Sequence, residues 1–284
     1  MTKKKQKLKL LQWEKWPFNV VYFPISFVWL YYCIRSRSFW FFSSSNPTIT
    51  FGGLEGEPKS EMYNQLPSHL YPTTFIVKPS ESFQSILDRL TQFNIQLPFI
   101  VKPEVAGAGM LFRKINTLAQ LQEYCSKVKI EFLVQSMISY PKEVSVFYYR
   151  HPNDNRGAVT GFLEKIPLHV IGNGYATLEQ LIIVHPKASR RVEEIRRIHA
   201  QHYNVVIPKD EKFFLSHAAN HNRGAQFVNL KDQIDDSLVK VFDELSFQVN
   251  GWYYGRYDLM CENIDDLKKG RNFLITLILF FFDL

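Results

Sequence analysis

Residues Pro98 to Ile115 read PFIVKPEVAGAGMLFRKI. The run Pro98 to Pro103 is short, apolar and β-branched, which predicts a buried strand carrying Lys102 at its end. Gly107 and Gly109 then fall among small residues, where the chain turns, and Met110 to Ile115 returns as the partner strand. Small side chains let backbone N–H groups come close to phosphate oxygens, and a lysine at a strand end adds a compact positive charge for the same oxygens. Taken alone, this stretch favours a plain hairpin with a glycine-rich turn. It is not a Walker loop, because no Gly-Lys-Ser/Thr follows and no helix opens there.

Downstream, helical and strand patterns alternate. Leu118, Leu121, Cys125 and Val128 keep helical spacing behind Thr117 as N-cap. Phe132 to Gln135 and Val144 to Tyr149 predict strands, and Thr177 to Ile183 and Ala188 to His202 predict helices. Leu238, Phe242, Leu245 and Val249 mark another amphipathic helix, and Tyr253 to Cys261 another strand. No internal repeat is visible. The mixture predicts an α+β domain over residues 59–275.

Upstream, Ser43 to Lys59 is rich in Ser, Gly, Pro and Glu and predicts a linker, with 46–58 as its bounds. Residues 1–45 are basic, then apolar. Lys3, Lys4, Lys5, Lys7, Lys9 and Lys15 face Glu14 alone, and Trp16 to Ile34 carries no charge. That pairing suits a membrane surface with anionic lipid, the segment lying in the interface or dipping in and returning at Pro17 and Pro24. An apolar arm packed on the domain or on a partner subunit is the alternative. The expected location is cytoplasmic, at the inner membrane face.

The chain has 284 residues, 46% hydrophobic, with net charge +7, and the excess sits at its start. That distribution argues against nucleic acid as a partner. Cys33, Cys125 and Cys261 have no paired spacing, so neither a disulfide scaffold nor a cysteine zinc site is expected. His199 with His202, and His217 with His221, have spacings that two helices could turn toward zinc. The Asn and Gly within HAANHNRG argue against a helix there.

Two more segments bear chemistry. In FLVQSMISYPKEVSVFYYR, Phe132 to Arg150, a strand ends at Gln135, a link passes Ile138, and a second strand opens with Glu143. Such a link can pair with an adenine edge, and a following carboxylate can accept two ribose hydroxyls. In GWYYGRYDLMCEN, Gly251 to Asn263, Arg256 and Asp258 lie two apart on a strand and share one face. A carboxylate there could hold Mg²⁺ beside an arginine that stabilises a transferring phosphoryl group. A surface Glu and a surface ion pair are the respective alternatives.

In combination and order, these three segments resemble the ATP-grasp superfamily, and within it the D-alanine–D-alanine ligases and cyanophycin-synthetase-like ligases. The resemblance covers roughly Lys59 to Phe273. It implies an ATP-grasp fold, two α+β subdomains gripping ATP, and ligation of a small-molecule carboxylate to an amine through an acyl phosphate. It implies Lys59, Lys102, Gly107, Gly109, Gln135, Ile138 and Glu143 at the nucleotide, Arg256 at the transferring phosphate and Asp258 on Mg²⁺. KIPLHVIGNGYATLEQLI (165–182) and LSHAANHNRGAQF (215–227) resemble the cyanophycin-synthetase-like branch, where Arg223 or His217 would clamp an anionic substrate.

The resemblance also implies a Glu and an Asn two residues later on the next strand, completing the metal site. After Asn272-Phe273-Leu274-Ile275 the chain instead runs TLILFFFDL. Residues 276–284 therefore read as an anomalous apolar tail from a frameshift or misassembled gene end, with a divergent end as the alternative. The expected consequence is little or no ligase turnover. A catalytically dead ATP-binding module or a membrane-tethered interaction module is the alternative function.

Overall fold

The computed structural model describes residues 18–53, 58–105, 111–216, 219, 223–249 and 251–279. The chain divides into two compact units, Met1–Ser44 and Ser45–Leu284. In the first, helix α1 (Phe18–Ser36) is followed by a 3-10 turn over Phe41–Ser45. Trp29 packs on Phe41 and Phe42, with ring centroids 5.0 Å apart in each case.

The second unit runs α2 (Lys59–Gln65), β1 (Thr74–Val77), α3 (Phe83–Gln92), β2 (Phe99–Pro103), β3 (Arg113–Ile115), α4 (Leu118–Lys127), β4 (Phe132–Ser136) and β5 (Lys142–Tyr149). It continues β6 (Ala158–Ile166), β7 (His169–Ile171), α5 (Leu178–Val184), α6 (Val192–Ile198), β8 (Lys212–Phe214) and β9 (Gln226–Asn229). It ends α7 (Asp236–Gln248), β10 (Tyr254–Cys261), α8 (Ile264–Lys268) and β11 (Phe273–Leu279). This is the α+β class expected from the alternating patterns.

Strands form a four-stranded sheet in the order β1-β4-β2-β3, a five-stranded sheet in the order β11-β10-β5-β6-β9, and the small pair β7-β8. All neighbours are antiparallel. Several helices begin where capping side chains stand. Ser82, Thr117 and Asp235 each accept a bond from an N–H three residues on, and Thr177 with Gln180 closes a capping box. Leu238, Val241, Phe242 and Leu245 then fall on one face of α7 and are buried.

Period-two alternation sorts the side chains. On β4, Phe132 and Val134 join Ile86, Leu90, Leu121 and Tyr124 beneath α3 and α4. Leu133, between them, points the other way, into the core of the five-stranded sheet with Val144, Val146, Phe242 and Leu259. One strand thus ties the two cores together. A third cluster, with Leu178, Ile182 and Ile195, lies beneath β7-β8.

The stretch expected to be a linker is partly folded. A 3-10 turn spans Thr50–Gly53, Ile49 is buried, and the Asn46 side chain is fully covered. Asn46 Oδ1 accepts from the N–H groups of Tyr253 and Tyr254, which explains a buried amide inside a polar stretch. The helix expected over Ala188 to His202 is broken into two 3-10 turns flanking α6. In Gly172-Asn173-Gly174, Gly174 takes φ +83° and a Cβ on Gly172 would lie 2.0 Å from the Pro208 carbonyl oxygen. Both glycines are therefore required by the turn.

Candidate nucleotide site

One face of the five-stranded sheet is charged. Cross-strand partners share a face, and the register pairs Asp258 with Ser145, Met260 with Glu143, and Glu143 in turn with Lys165. Arg256 sits two residues before Asp258 on the same face. Arg256 Nε and Nη2 donate to the two Asp258 carboxylate oxygens at 3.0 and 3.1 Å. Lys165 Nζ lies 2.7 Å from Asp258 Oδ2 and 3.5 Å from Glu143 Oε1, and Ser145 Oγ donates to Asp258 Oδ1. Asp258 and Lys165 are only 5% and 6% exposed.

These contacts set the protonation states. Burial would raise the Asp258 carboxyl, but Lys165 and Arg256 outweigh it and hold it below the usual carboxylate range. Burial pushes Glu143 up to about 7; the Lys165 ammonium opposes the rise and the Asp258 charge adds to it.

The second group of polar residues comes from the four-stranded sheet. Lys102 Nζ donates to Tyr63 Oη at 2.9 Å and to the Thr276 carbonyl at 3.1 Å. Tyr63 Oη in turn donates to the same carbonyl at 2.5 Å and accepts from Gln135 Nε2 at 3.0 Å. Gln135 also donates to Thr74 Oγ1 at 2.8 Å. Burial pulls the Lys102 ammonium down to about 7, against the charge of Glu104. Thr276 is the extra residue of a bulge on β11, since Asp258 pairs with Leu277 and Leu259 with Ile275. Its hydroxyl donates to the Asp258 backbone carbonyl at 3.0 Å. Thr276 thus bonds the Lys102 side chain of the four-stranded sheet through its carbonyl and the Asp258 backbone, on the adjacent strand of its own sheet, through its hydroxyl.

The remaining expected residues distribute as follows. Lys59 opens α2 and donates from Nζ to the carbonyls of Pro103 and Glu104, at 3.0 and 3.1 Å, beside the strand that carries Lys102. Ile138 is half-buried in the link between β4 and β5. Arg223 is half-buried between β8 and β9, whereas the cation that meets Asp258 from outside its own strand is Lys165. Gly107, Gly109, His217 and His221 lie outside the described residues. His199 Nε2 is 3.2 Å from the Leu215 carbonyl, and both His199 and His202 pack on the Phe213 ring. Those contacts account for this histidine pair without zinc.

Lys165, Ser145, Tyr63 and Thr276 were not expected at the site. Lys165 has a local signal only in hindsight of register: a lysine directly across from a strand glutamate is a favourable cross-strand pair.

Magnesium at Asp258 does not fit this donor set. A hard divalent cation takes about six oxygen ligands. Here both Asp258 oxygens are engaged by cations and a hydroxyl, and the β11 residues paired with Asp258 and Arg256 are Leu277 and Leu279. Among the described residues, no group of three or more His, Cys, Asp or Glu side chains is placed to hold a metal.

No family model matches the chain. A curated relative, the glutathione biosynthesis bifunctional protein GshAB of Clostridium perfringens (strain 13 / Type A), is 24% identical over 189 residues. That match covers 61% of this chain and 24% of the relative, so the chain spans about a quarter of it. Among solved structures, the VanG D-Ala:D-Ser ligase of Enterococcus faecalis matches with TM-score 0.44 and 12% identity, over 78% of this chain and 51% of that one. The D-alanine–D-alanine ligase of Bacillus anthracis complexed with ATP matches with TM-score 0.43 and 11% identity, over 78% and 54%.

Proposed function

We propose, from the resemblance to ATP-grasp ligases, that this chain is the nucleotide-gripping unit of an ATP-dependent carboxylate–amine ligase. In such a reaction the carboxylate oxygen takes the γ-phosphoryl group and ADP leaves. An amine then attacks the acyl carbon, phosphate leaves, and an amide remains. The protein contributes position and charge, and no side-chain nucleophile is needed. What supports the reading is one observation: Lys102, from the four-stranded sheet, bonds the Thr276 carbonyl on β11, the strand next to the one that carries Arg256 and Asp258.

On this reading Lys102 and Arg256 face the phosphates, with Lys165 as a third cation beside Arg256. Gln135 and Ile138 border the adenine and Glu143 meets the ribose. Lys59, bonded to the end of β2, steadies the strand that carries Lys102. Gly107 and Gly109, outside the described residues, keep the phosphate role that the resemblance implies. The small-molecule carboxylate and amine are taken near Arg223.

The apolar pairing of β11 favours one refinement. With Leu277 and Leu279 opposite Asp258 and Arg256, the unit binds ATP but transfers its phosphoryl group slowly, because a divalent cation contributes several kcal/mol to that step. Calorimetric titration with ATP tests the whole reading. Saturable binding that weakens about tenfold or more in Lys102→Met supports it, since charge-assisted bonds to phosphate contribute a few kcal/mol. Absence of binding at millimolar ATP, with the variant and parent indistinguishable, removes it. Trapping of acyl phosphate with hydroxylamine then separates a slow ligase from a dead binding module.

A further inference from the structure

Helix α1 is apolar around most of its girth, and little within its own unit covers it. Val20, Phe23, Ile25, Phe27, Val28, Leu30, Tyr31, Tyr32 and Ile34 are all between 46% and 70% exposed. At about 100° per residue these positions sweep more than half the circumference. The remaining stripe is the one already occupied: Cys33 is buried and Trp29 packs on Phe41 and Phe42. Phe39 and Trp40, just past the helix, are 76% and 59% exposed.

We infer that α1 immerses in an anionic lipid bilayer and docks the protein on a membrane surface. Three observations select lipid over another protein surface. First, the exposed apolar arc is too wide for a partner helix or a second copy, which covers one stripe, while lipid surrounds a helix on all sides. Second, the charges flanking the helix have one sign: six lysines before residue 16 against one glutamate, then Arg35 and Arg37. Two copies packed through α1 would bring these cations together, whereas an anionic leaflet neutralises them, at roughly 1 kcal/mol per basic residue near the surface. Third, Tyr31, Tyr32 and Trp40 stand at the Arg35–Arg37 end, and aromatic rings with a polar tip settle at headgroup depth. Arg35 Nη1 donates to Tyr31 Oη at 3.0 Å, so ring and cation share that level. No helix among the described residues is long and apolar enough to cross a membrane, and Pro24 interrupts the helix bonding.

Tryptophans provide the readout. Trp13, Trp16, Trp29 and Trp40 lie in the first unit, and Trp252 is buried in the core of the second. The test uses the full chain with phosphatidylcholine vesicles, with and without about 30 mol% phosphatidylglycerol. The expected result is flotation with the anionic vesicles, at least about tenfold weaker binding without the anionic lipid, and weakening at about 0.5 M salt. Phosphatidylcholine brominated on its acyl chains should quench the emission. The double substitution Phe23→Asp/Phe27→Asp should abolish flotation and quenching while ATP binding by the second unit is kept. Failure to float with either vesicle, or flotation without quenching, overturns the inference. So does a dimer that forms without lipid and is lost in the same double variant, which would give this face to a second copy.

Discussion

Asp258 stays an anion inside this protein because two cations and a hydroxyl surround it. Removing one cation leaves a buried negative charge short of a partner, which typically costs about 3–5 kcal/mol. Lys165→Met is therefore expected to lower unfolding stability by about 3 kcal/mol, measured by urea denaturation near neutral pH. Adding Asp258→Asn should recover part of that loss, because the orphaned charge disappears. Two additive losses would deny the coupling. Lys102 gives a second expectation at this scale. Its ammonium is depressed to about 7 in the fold but not in the unfolded chain. The unfolded chain thus binds the extra proton across the window from about 7 to the free-lysine value near 10.4, so this residue's contribution to stability rises with pH there. It is fully present above that window and lost as pH falls to 7. Stability of the parent minus that of Lys102→Met should climb between pH 7.5 and 10, and a flat difference would contradict the burial of the charge. Glu143 works in the opposite sense. Its carboxyl is raised to about 7, so the stability it contributes is present below about 4.3 and lost as pH rises through 7.

At the scale of elements, the pairing of β10 with β11 decides what the charged face can do. The bulge at Thr276 puts Leu277 opposite Asp258, with Leu279 two residues on and opposite Arg256. Leu277→Glu together with Leu279→Asn would set two oxygen donors on the face of Asp258, spaced as the resemblance requires. The variant is expected to bind ATP at least about tenfold more tightly with magnesium than with EDTA, while the parent shows a smaller difference. Equal responses in parent and variant would mean that the register does not matter to the metal. The same strands show how far local reading reaches. Arg256 and Asp258 share a face because they are two apart on a strand, and Thr117 and Thr177 announce their helices because N-caps are local. Cross-sheet partners carry no such signal. Tyr63 is 39 residues from Lys102 and Thr276 is 174 residues from it, and only the packing of two sheets brings those three together. Lys165 carries no local signal for the same reason, since the register of β5 on β6 is set by whole-strand pairing and not by either strand's own pattern. Asn46 differs: polar composition marks a loop, but not that the loop's buried amide accepts from two backbone N–H groups of a distant segment.

For the whole molecule, the consequence concerns which unit a nucleotide stabilises. The cations and carboxylates of the candidate site all belong to Ser45–Leu284, and so do the three hydrophobic clusters. A ligand that binds only the folded form stabilises it by RT ln(1 + [L]/Kd), about 2.7 kcal/mol when ATP stands at a hundred times its Kd. In a unit of this size each kcal/mol moves the melting temperature by roughly 2–4 °C, so ATP should raise it by about 5–10 °C. Trp252 reports that transition from within the core, where Trp252 Nε1 donates to Gln65 Oε1 at 3.1 Å on the helix that also carries Tyr63. Its emission should therefore shift at the ATP-dependent temperature, whereas quenching of the four tryptophans of the first unit by lipid should be indifferent to ATP. If ATP at millimolar concentration leaves the Trp252 transition where it was, the charged face is a structural ion network that ties neighbouring strands of one sheet together. The nucleotide reading then falls, while the lipid-docking helix, resting on other residues, is judged by its own experiment.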